Sequence, residues 1–497
     1  MNVSDSERMA TTFEKIGLSL VDSTAKADVI VINACSVRQK AIDRIWGKLN
    51  EFEKIKKKRP NRPLYTVLTG CVLPTDRPKF SERFDLYFPM KELPQLPAKL
   101  EKIFNTRFEQ VSGKKKKHKI IKLSVAELLA DKQIKYSNGQ TPLTPISQSP
   151  ASQKHYLEIE AKYSNKFSAF VPIMTGCNAF CTYCAVPYTR GREVSRKPEE
   201  IIDEVARLSA QGYREVTLLG QIINKYMVKI DDTFLKYLDY ILSKHGVAIK
   251  DIPELQEPVL LEKKLFKFHH LLAVLASLGN DFWLRYVSSH PKWFSRELID
   301  TINRYENIVE HVHLPVQAGS DSTLKRMLRP YTIEEYKKII IYIREHIPGV
   351  ALTTDVIVGF CGETEAEFQA TKDLFKWAKY DMAYISQYST RPGTTAQSEL
   401  ADDVSHNVKV KRETELNDIL EQTALENNQM LLNEEAEVLV TKLNAKDNKI
   451  IGRTRTNKNI RLATSNKKLK TNDLIGKFVK AKVTSITPWS LEGEIKT

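Results

Sequence analysis

Three closely spaced cysteines are the residues of this 497-residue chain that most directly predict chemistry. Cys177, Cys181 and Cys184 lie in Met174-Thr-Gly-Cys-Asn-Ala-Phe-Cys-Thr-Tyr-Cys-Ala. Structural zinc takes four ligands and a closed iron–sulfur cluster takes four cysteines. Three thiolates can instead hold three irons of a 4Fe-4S cluster and leave the fourth iron open. The spacing favours such a cluster, with an open iron for a substrate or cofactor, and zinc is the alternative metal.

The remaining composition argues against two other classes of protein. The chain has only six cysteines and no apolar export segment near its start, so a disulfide framework is not expected. It has no run of about eighteen apolar residues, and its mean hydropathy is −0.36, so no membrane span is expected. Reduced, metal-binding thiols without an export signal predict a cytoplasmic location.

Strand and helix patterns place the three cysteines in a loop. An apolar strand is predicted at 167–173 and an amphipathic helix at 199–210. Loops between a strand and a helix carry the active sites of α/β barrels. Helical stretches such as 333–346 separate several further strands, which are predicted at 215–219, 282–288, 309–315, 352–359 and 383–388. The repeated pattern predicts a parallel, barrel-like sheet.

Two other cysteines follow predicted strands in the first 110 residues. The apolar runs 27–33 and 64–68 lead into Cys35 and Cys71, and open α/β sheets bind ligands at the carboxyl ends of their strands. A third strand at 85–88 and a helix at 5–16 accompany them. The two thiols are either ligands or buried structural residues, because free cysteine is commonly buried.

The C-terminal part has a different pattern and an excess of positive charge. A long helix is predicted at 402–432, followed by short strands at 437–441, 459–463 and 478–486, which predict a small β-barrel. Residues 433–497 contain 14 Lys and Arg and 7 Asp and Glu, in a chain of net charge +15. The cations Arg453, Arg455, Lys458 and Arg461 are expected on one face, either near phosphates or as a solvated surface.

Several segments have no predicted role in the chemistry. Residues 136–154 are rich in Ser, Gln, Pro and Thr and predict a flexible linker. Residues 227–267 contain two runs, 234–242 and 260–268, that predict helices on the rim of the barrel. The basic runs 54–59 and 114–119 either extend a phosphate-binding surface or solubilise loops.

Motifs along the whole chain resemble those of a known family. The cysteine spacing resembles that of the radical S-adenosylmethionine superfamily, and the other motifs resemble its MiaB-type tRNA methylthiotransferases. These motifs are Asn33-Ala-Cys-Ser-Val-Arg, Leu68-Thr-Gly-Cys-Val, Ala185-Val-Pro-Tyr-Thr-Arg-Gly-Arg, Leu218-Leu-Gly-Gln, Ser288-Ser-His-Pro, His313-Leu-Pro-Val-Gln-Ala-Gly-Ser and Tyr388-Ser-Thr-Arg-Pro-Gly. Two segments, about 130–160 and 227–266, interrupt the resemblance.

The resemblance implies an α/β protein with three domains: an N-terminal Rossmann-like methylthiotransferase domain, a central radical S-adenosylmethionine partial (β/α) barrel, and a C-terminal TRAM β-barrel. The expected boundaries are 1–110 for the first domain, 111–166 for a linker, 167–401 for the second domain with its insertion at 227–266, 402–432 for a connecting helix and 433–497 for the TRAM domain.

The resemblance also implies cofactors and the residues that bind them. It implies two 4Fe-4S clusters and S-adenosylmethionine, with Cys177, Cys181 and Cys184 as the catalytic cluster ligands. Cys35 and Cys71 match ligands of a second, auxiliary cluster. The remaining positions implied to bind the cofactor are Tyr183, Gln221 and Gln317.

The start of the chain departs from the family pattern. The family opens with a strand ending in Gly-Cys-Gln-Met-Asn, whose cysteine is the first auxiliary ligand, whereas this sequence begins Met1-Asn-Val-Ser. The sequence therefore lacks that ligand and the first strand. We expect a misplaced start or a truncated record, with a true two-cysteine variant as the alternative.

The activity implied by the family is methylthiolation of carbon 2 of N6-isopentenyladenosine at tRNA position 37. The implied partners are tRNA and an electron donor such as a flavodoxin or ferredoxin, for a protein expected to be a monomer without membrane contact. Three alternatives stay open: methylthiolation of N6-threonylcarbamoyladenosine, methylthiolation of a ribosomal-protein aspartate, and a tRNA-binding remnant without thiolation. Cys35-Ser-Val-Arg argues against the first, whose enzymes usually have Thr-Val there.

Three further residues have an open interpretation. Cys361 lies at the end of a predicted barrel strand and is interpreted as a small apolar residue rather than a replacement cluster ligand. Arg190 and Arg192 follow the cysteine loop. They are predicted to contact either a phosphate or a cofactor carboxylate, or to be ordinary surface arginines.

Overall fold

The computed structural model describes residues 1–35, 39–100, 103, 122–127, 155–279, 281–444, 449–464 and 471–496. The predicted linker at 136–154 and the basic run at 114–119 lie outside the described residues. The chain divides into two units. The first unit comprises Met1–Ser164, Thr175–Arg196 and Arg391–Glu399, and the second comprises Asn165–Met174, Lys197–Thr390 and Leu400–Thr497.

The described α-helices vary from one turn to 24 residues in length. In chain order they are α1 Asn2–Lys15, α2 Gln39–Lys58, α3 Arg77–Ser81, α4 Val186–Arg190, α5 Pro198–Ala210, α6 Asp232–Lys244, α7 Pro258–Leu261, α8 Phe268–Ala276, α9 Arg296–Arg304, α10 Asp321–Arg326, α11 Ile333–His346, α12 Glu365–Ala378, α13 Thr395–Glu399 and α14 His406–Gln429.

The described strands are two to nine residues long. In chain order they are β1 Ser19–Leu20, β2 Val29–Cys35, β3 Tyr65–Cys71, β4 Leu86–Tyr87, β5 Lys122–Glu127, β6 Ser168–Pro172, β7 Met174–Thr175, β8 Val194–Ser195, β9 Glu215–Leu219, β10 Met227–Lys229, β11 Leu265–Lys267, β12 Trp283–Tyr286, β13 His311–His313, β14 Ala351–Val358, β15 Met382–Gln387, β16 Glu435–Leu443, β17 Ile450–Thr454, β18 Asn459–Ala463, β19 Phe478–Ile486 and β20 Leu491–Ile495.

The first unit is built around a parallel five-stranded sheet in the order β1-β5-β2-β3-β4. Its central strands β2 and β3 are almost continuously buried, as expected for parallel strands covered on both faces. One face packs on residues such as Met9 and Phe13 of α1, and the other packs on Ile45 and Leu49 of α2. This arrangement confirms the Rossmann-like α/β fold of the N-terminal domain.

Helix α2 contains most of the basic run predicted at 54–59. Its last turn carries Lys56, Lys57 and Lys58, and cations at a helix C-terminus interact favourably with the helix dipole. Arg59 then donates to the Ala27 carbonyl oxygen over 2.8 Å and lies 3.2 Å from an Asp28 carboxylate oxygen. The run therefore has a local structural explanation.

The second unit contains an open parallel sheet. Strands pair in the orders β12-β9-β6 and β13-β14-β15, and a parallel bridge between Leu284 and Ile308 joins the two groups. Helices connect successive strands, so the architecture is a partial (β/α) barrel, as predicted. The six predicted barrel strands are present with ends that differ by at most two residues.

The segment 227–266 departs from its prediction in one place. Helix α6 covers the first predicted helix, and β10 pairs antiparallel with β11. The second prediction, a helix at 260–268, is wrong. These residues form the end of α7, the strand β11 and the first residue of α8. Strand pairing with β10 overrides the local helical periodicity there.

The C-terminal strands close into a barrel in the order β16-β17-β18-β20-β19, which confirms the predicted small β-barrel. Alternating residues such as Val438, Ile460 and Val483 fill its core. The sequence prediction omitted β17 and β20. Both contain a glycine, Gly452 and Gly493, where a Cβ atom would lie 2.2 Å from Val438 Cγ1 and 2.6 Å from the Lys482 carbonyl oxygen.

Candidate functional site

The cysteine triad lies on a tight loop of the first unit between Thr175 and α4. The Cys177 backbone N–H donates to the Gly191 carbonyl oxygen over 3.1 Å, and the Cys184 N–H donates to the Cys181 carbonyl oxygen over 2.9 Å. Gly176 has φ +75°, and a Cβ atom on it would lie 2.0 Å from the Arg192 carbonyl oxygen. Only glycine fits this close approach, so the loop conformation depends on it.

The three thiols of the loop are suited to binding a metal cluster. Cys177 and Cys181 are buried, and Cys184 is half-buried. The Ala179 backbone N–H donates to Cys177 Sγ over 3.4 Å, so the loop's own backbone orients this sulfur. Phe180, between the first two cysteines, has φ +49°, a conformation that non-glycine residues rarely adopt and that concentrates at functional sites. This donor set fits a three-cysteine 4Fe-4S cluster.

Tyr183 belongs to the same loop and is half-buried. The carbonyl oxygen of its neighbour Thr182 accepts a hydrogen bond of 2.8 Å from the Ala396 backbone N–H. The segment Arg391–Glu399 thereby braces the loop within the first unit.

Cys35 and Cys71 form a second pair of thiols in the first unit. They end the neighbouring parallel strands β2 and β3 and are in register with each other. Neighbouring strands lie about 4.8 Å apart, so the two cysteines occupy one point of the sheet's carboxyl edge. Gly70 permits this approach, because a Cβ atom on it would lie 2.2 Å from the Ala34 carbonyl oxygen. The strand pairing brings together the two residues that the sequence prediction had paired.

Arg190 is the residue whose role the sequence did not predict. Its side chain is buried and its Nε donates to Cys71 Sγ over 3.0 Å. Its Nη2 donates to Asp5 Oδ2 over 2.8 Å and to Asn2 Oδ1 over 3.1 Å. The interpretation as an ordinary surface arginine is wrong for Arg190, whereas Arg192 is exposed as that interpretation expects. Arg190 ends α4, directly after the cysteine loop, and ties that loop to Cys71.

The electrostatics around Cys71 are a balance of burial and charge. Burial raises the pKa of the Cys71 thiol, because it disfavours the thiolate, and the Arg190 guanidinium opposes this effect. A buried cation bonded to sulfur is the type of environment in which a thiolate ligand is stabilised. No signal in the sequence beyond the motif position of Arg190 could have shown this contact, since 119 residues separate the partners.

Gln221 and Gln317 lie in the second unit at the carboxyl ends of barrel strands. Gln221 follows β9 and is partly exposed. Gln317 has φ +74°, and its side chain is mostly buried. The backbone N–H of Gln317 donates to the Asp355 carbonyl oxygen and its own carbonyl oxygen accepts from Ile357, both over 2.9 Å. Both residues occupy the edge at which α/β sheets bind ligands.

Cys361 lies beyond the end of β14 in the second unit and is buried. Burial raises the pKa of its thiol, and a hydrogen bond with Tyr388 opposes that effect. Arg326 Nε donates to its backbone carbonyl oxygen over 3.0 Å. These contacts support the interpretation of Cys361 as a packing residue.

Three of the four cations that the sequence analysis singled out in the C-terminal barrel pair with carboxylates. Arg453 pairs with Glu215, Arg455 lies 2.6 Å from Glu310, and Lys458 lies 2.5 Å from Asp381. The expectation that several of these cations share a phosphate-binding face is therefore wrong for Arg453, Arg455 and Lys458. The carboxylates lie at the amino ends of the barrel strands, so these three cations hold the C-terminal barrel against the central sheet. Arg461 is exposed.

A group of three possible metal ligands joins the insertion to α8. Glu257, His269 and His270 offer ligand atoms within 4.8 Å of one another among the described residues. His270 Nδ1, however, accepts the Lys267 backbone N–H over 2.9 Å, which places the proton of the neutral ring on Nε2. That Nε2 then donates to Glu257 over 3.1 Å. This tautomer is suited to a hydrogen bond and not to metal binding.

Comparison with known proteins gives three family matches in order along the chain. Residues 1–88 match "Uncharacterized protein family UPF0004", residues 171–375 match "Radical SAM superfamily", and residues 429–496 match "TRAM domain". None of the described helices is long and apolar enough to span a membrane.

Curated relatives match over the whole chain. The tRNA-2-methylthio-N(6)-dimethylallyladenosine synthase of Thermoanaerobacter pseudethanolicus is 34% identical over 100% of this chain and 90% of its own length. The protein of the same name from Carboxydothermus hydrogenoformans is 36% identical over 99% of this chain and 96% of its own length. A solved structure of the radical S-adenosylmethionine methyltransferase TsrM from Kitasatospora setae has 13% identity and a TM-score of 0.44, over 78% of this chain and 70% of that chain. That likeness is too distant to carry an argument.

Proposed function

Because this chain belongs to the family of tRNA-2-methylthio-N(6)-dimethylallyladenosine synthases, we propose that it methylthiolates carbon 2 of N6-isopentenyladenosine at position 37 of tRNA. The observation that carries this proposal is the buried cysteine loop, Cys177 to Cys184, in a chain that matches these relatives along its entire length. The family implies 4Fe-4S chemistry and S-adenosylmethionine as cofactor.

We assign the cluster ligands as follows. Cys177, Cys181 and Cys184 hold the cluster that binds S-adenosylmethionine, and Cys35 and Cys71 supply two ligands of a second 4Fe-4S cluster. When bound, these cofactors supply the one-electron chemistry that the aromatic carbon–hydrogen bond requires, since that bond offers no acidic proton for acid–base catalysis. The N–H···S contacts at Cys177 and Cys71 support this assignment.

The protein's own residues position these groups. Gly176 and the Cys177–Gly191 hydrogen bond fix the loop so that all three thiols come from one rigid segment. Arg190 then fixes the end of that segment to Asp5 and Cys71. Such pre-organisation lowers the entropic cost of placing reactants in a productive geometry.

Tyr183, Gln221 and Gln317 are proposed to contact S-adenosylmethionine. Tyr183 lies within the cysteine loop, and the two glutamines lie at the carboxyl ends of barrel strands, where ligands of α/β sheets bind. The buried side chain and left-handed backbone of Gln317 support a specific role, because such strain persists only where the surrounding structure imposes it.

The proposed partners are tRNA and an electron donor such as a flavodoxin or ferredoxin, and the protein is proposed to act as a monomer in the cytoplasm. The TRAM domain and the net charge of +15 support binding to a polyanion. We propose the domain limits 167–401 and 433–497 for the second and third domains, with 402–432 as the connecting helix. The segment 111–166 is not a linker throughout, because β5 lies inside the sheet of the first unit, which extends to Ser164.

The test is an anaerobic assay with three anticodon stem-loops, which carry isopentenyladenosine, threonylcarbamoyladenosine or unmodified adenosine at the target position. Mass spectrometry of the digested RNA identifies the product nucleoside. The proposal predicts a methylthio product from the isopentenyl substrate only. A product from the threonylcarbamoyl substrate instead, or no product with a reconstituted protein that cleaves S-adenosylmethionine, would overturn it.

A further inference from the structure

The partial barrel of the second unit has one face covered by helices and one that is polar. On β14, Thr354, Val356 and Val358 are at most 1% exposed. Tyr336 of α11 reaches the Leu314 carbonyl oxygen, which also accepts from Thr354, so these residues face the helices. The alternate residues of β14 lie on the opposite, inner face, because side chains alternate along a strand.

The inner face carries a cluster of polar and aromatic side chains on three neighbouring strands. His313 Nδ1 lies 3.0 Å from Thr353 Oγ1, and His313 Nε2 lies 3.4 Å from Asp355 Oδ2. Tyr384 is in register with Asp355, and its ring meets that of His313 edge-on at 6.1 Å between centroids. The cluster is accessible, since the Asp355 side chain is 39% exposed and Tyr384 is 55% exposed.

The turn between β17 and β18 covers the same face at the amino ends of the strands. Arg285 of β12 donates to the carbonyl oxygens of Thr454 and Arg455, each over 2.8 Å. The cations of this turn neutralise Glu215, Glu310 and Asp381. The C-terminal barrel therefore closes the central sheet at the amino ends of its strands. The cluster of His313, Asp355 and Tyr384 lies closer to the carboxyl ends of these strands.

The charge of this cluster determines which ligand it fits. Unlike Glu215, Glu310 and Asp381, Asp355 has no lysine or arginine within 4.0 Å among the described residues. A carboxylate without a cation repels phosphate but accepts hydrogen bonds from neutral N–H or O–H groups. An exposed tyrosine ring beside it offers a surface on which a base can stack. The combination fits a nucleoside and not the phosphate backbone of an RNA.

We propose that Tyr384 and Asp355 bind the target nucleoside of the tRNA: the ring stacks on the base, and the carboxylate accepts a hydrogen bond from an N–H or ribose hydroxyl group. His313 is a positioning residue that orients Asp355. This inference rests on the proposed function and adds to it the residues that recognise the substrate. It assigns recognition of the target nucleoside to residues other than those that bind S-adenosylmethionine, which also contains an adenosine group.

The experiment uses the reconstituted full chain with the isopentenyladenosine stem-loop. Tyr384→Leu removes the ring, Tyr384→Phe keeps the stacking surface, and Asp355→Asn removes the charge. The matched controls are Tyr240→Leu, because Tyr240 on α6 is 57% exposed, and Asp239→Asn on the same helix. The measurements are kcat and KM for the RNA, the Kd for S-adenosylmethionine, and 5'-deoxyadenosine formation without RNA.

We expect Tyr384→Leu to raise KM for the RNA about tenfold, the effect of losing one base–aromatic stack, whereas Tyr384→Phe stays near wild type. Asp355→Asn lowers kcat/KM about tenfold, and S-adenosylmethionine binding is unchanged in all variants. A parallel loss of S-adenosylmethionine affinity would overturn the inference, as would unchanged RNA kinetics in Tyr384→Leu. Neither of these two outcomes contradicts the proposed function if the wild-type protein methylthiolates the stem-loop. An inactive wild-type protein would refute the proposed function itself.

Discussion

The cysteine loop and the Cys35–Cys71 pair are two thiol sites built in different ways. The loop takes three thiols from eight consecutive residues and fixes them with backbone hydrogen bonds and one glycine. The pair takes two thiols from strands 36 residues apart and adds a buried arginine from a third segment. The first site is local in sequence, whereas the second exists only in the folded first unit.

This difference predicts how each site responds to amino-acid substitutions. The loop should fail through loss of a ligand while the fold persists, because its contacts are local. The pair should fail through loss of the fold as well as of a ligand, because Arg190 and Asp5 form a buried ion pair beside it. The following predictions test this contrast, from the largest effect to the smallest.

Cys181→Ala should abolish cleavage of S-adenosylmethionine, with a loss of at least about a hundredfold, because a three-cysteine cluster cannot be held by two thiolates. The urea unfolding midpoint should be nearly unchanged. Reductive formation of 5'-deoxyadenosine measures the loss. Cys361→Ala is the matched control, since Cys361 is also a buried cysteine. Substantial cleavage by Cys181→Ala would contradict the assignment of the loop.

Arg190→Gln should lower the free energy of unfolding by about 3–5 kcal/mol, because it leaves the fully buried Asp5 carboxylate without its cation. Urea denaturation of the apoprotein measures this effect without any cluster. Arg192→Gln, two residues away and exposed, should change stability by less than about 0.5 kcal/mol. Equal effects of the two substitutions would show that the Arg190 contacts are not structural.

Glu257 tests an ion-pair group remote from the cysteine sites. Burial acts to raise its pKa, but hydrogen bonds from His269 and His270 outweigh burial and lower the pKa to about 2. The ionised Glu257 carboxylate therefore contributes fully to the free energy of unfolding above the ordinary glutamate pKa of about 4.3. This contribution is lost as pH falls toward 2. Glu257→Gln should cost about 1–2 kcal/mol at pH 7, and the difference from wild type should shrink below pH 4.

Urea denaturation of the wild type and of Glu257→Gln between pH 3 and pH 7 measures this difference. The stabilising effect of the ionised Glu257 carboxylate begins to be lost within this range. Glu262→Gln, at an exposed position of the same insertion, is the control. A difference that stays constant over this pH range would contradict the ionised carboxylate as its source.

Arg461→Gln should weaken tRNA binding only about threefold and reduce the dependence of log Kd on log salt by about 0.9. Arg453→Gln should act differently, because Arg453 pairs with the buried Glu215 and its loss should lower stability. Titration of labelled tRNA at several salt concentrations separates the two. If Arg453→Gln lowered the salt dependence without destabilising the protein, the structural role of Arg453 would be refuted.

The sequence predicted those parts of the molecule that local patterns determine. The apolar runs gave the barrel strands, and the spacing of Cys177, Cys181 and Cys184 identified the loop without any tertiary information. The strands β17 and β20 were missed because their glycines weaken the local signal, although they are required where strands cross closely.

The partners of charged residues were not predictable, because they depend on contacts distant in sequence. Arg190 lies 119 residues from Cys71, and Arg453 lies 238 residues from Glu215. Composition shows that such residues are basic, but it does not distinguish a cation that binds phosphate from one that neutralises a buried carboxylate. The fold makes that distinction for Arg453, Arg455 and Lys458.

The central claim is that the two thiol sites are separate and that the loop alone supports cleavage of S-adenosylmethionine. The most direct test compares Cys177→Ala/Cys181→Ala/Cys184→Ala with Cys35→Ala/Cys71→Ala after anaerobic reconstitution, by iron and acid-labile sulfide per chain and by 5'-deoxyadenosine formation. The account predicts that the double variant keeps about four irons and cleaves S-adenosylmethionine without methylthiolating tRNA, whereas the triple variant keeps only the iron bound at Cys35 and Cys71 and cleaves no S-adenosylmethionine. Loss of cleavage in the double variant, with its loop cluster intact, would contradict it.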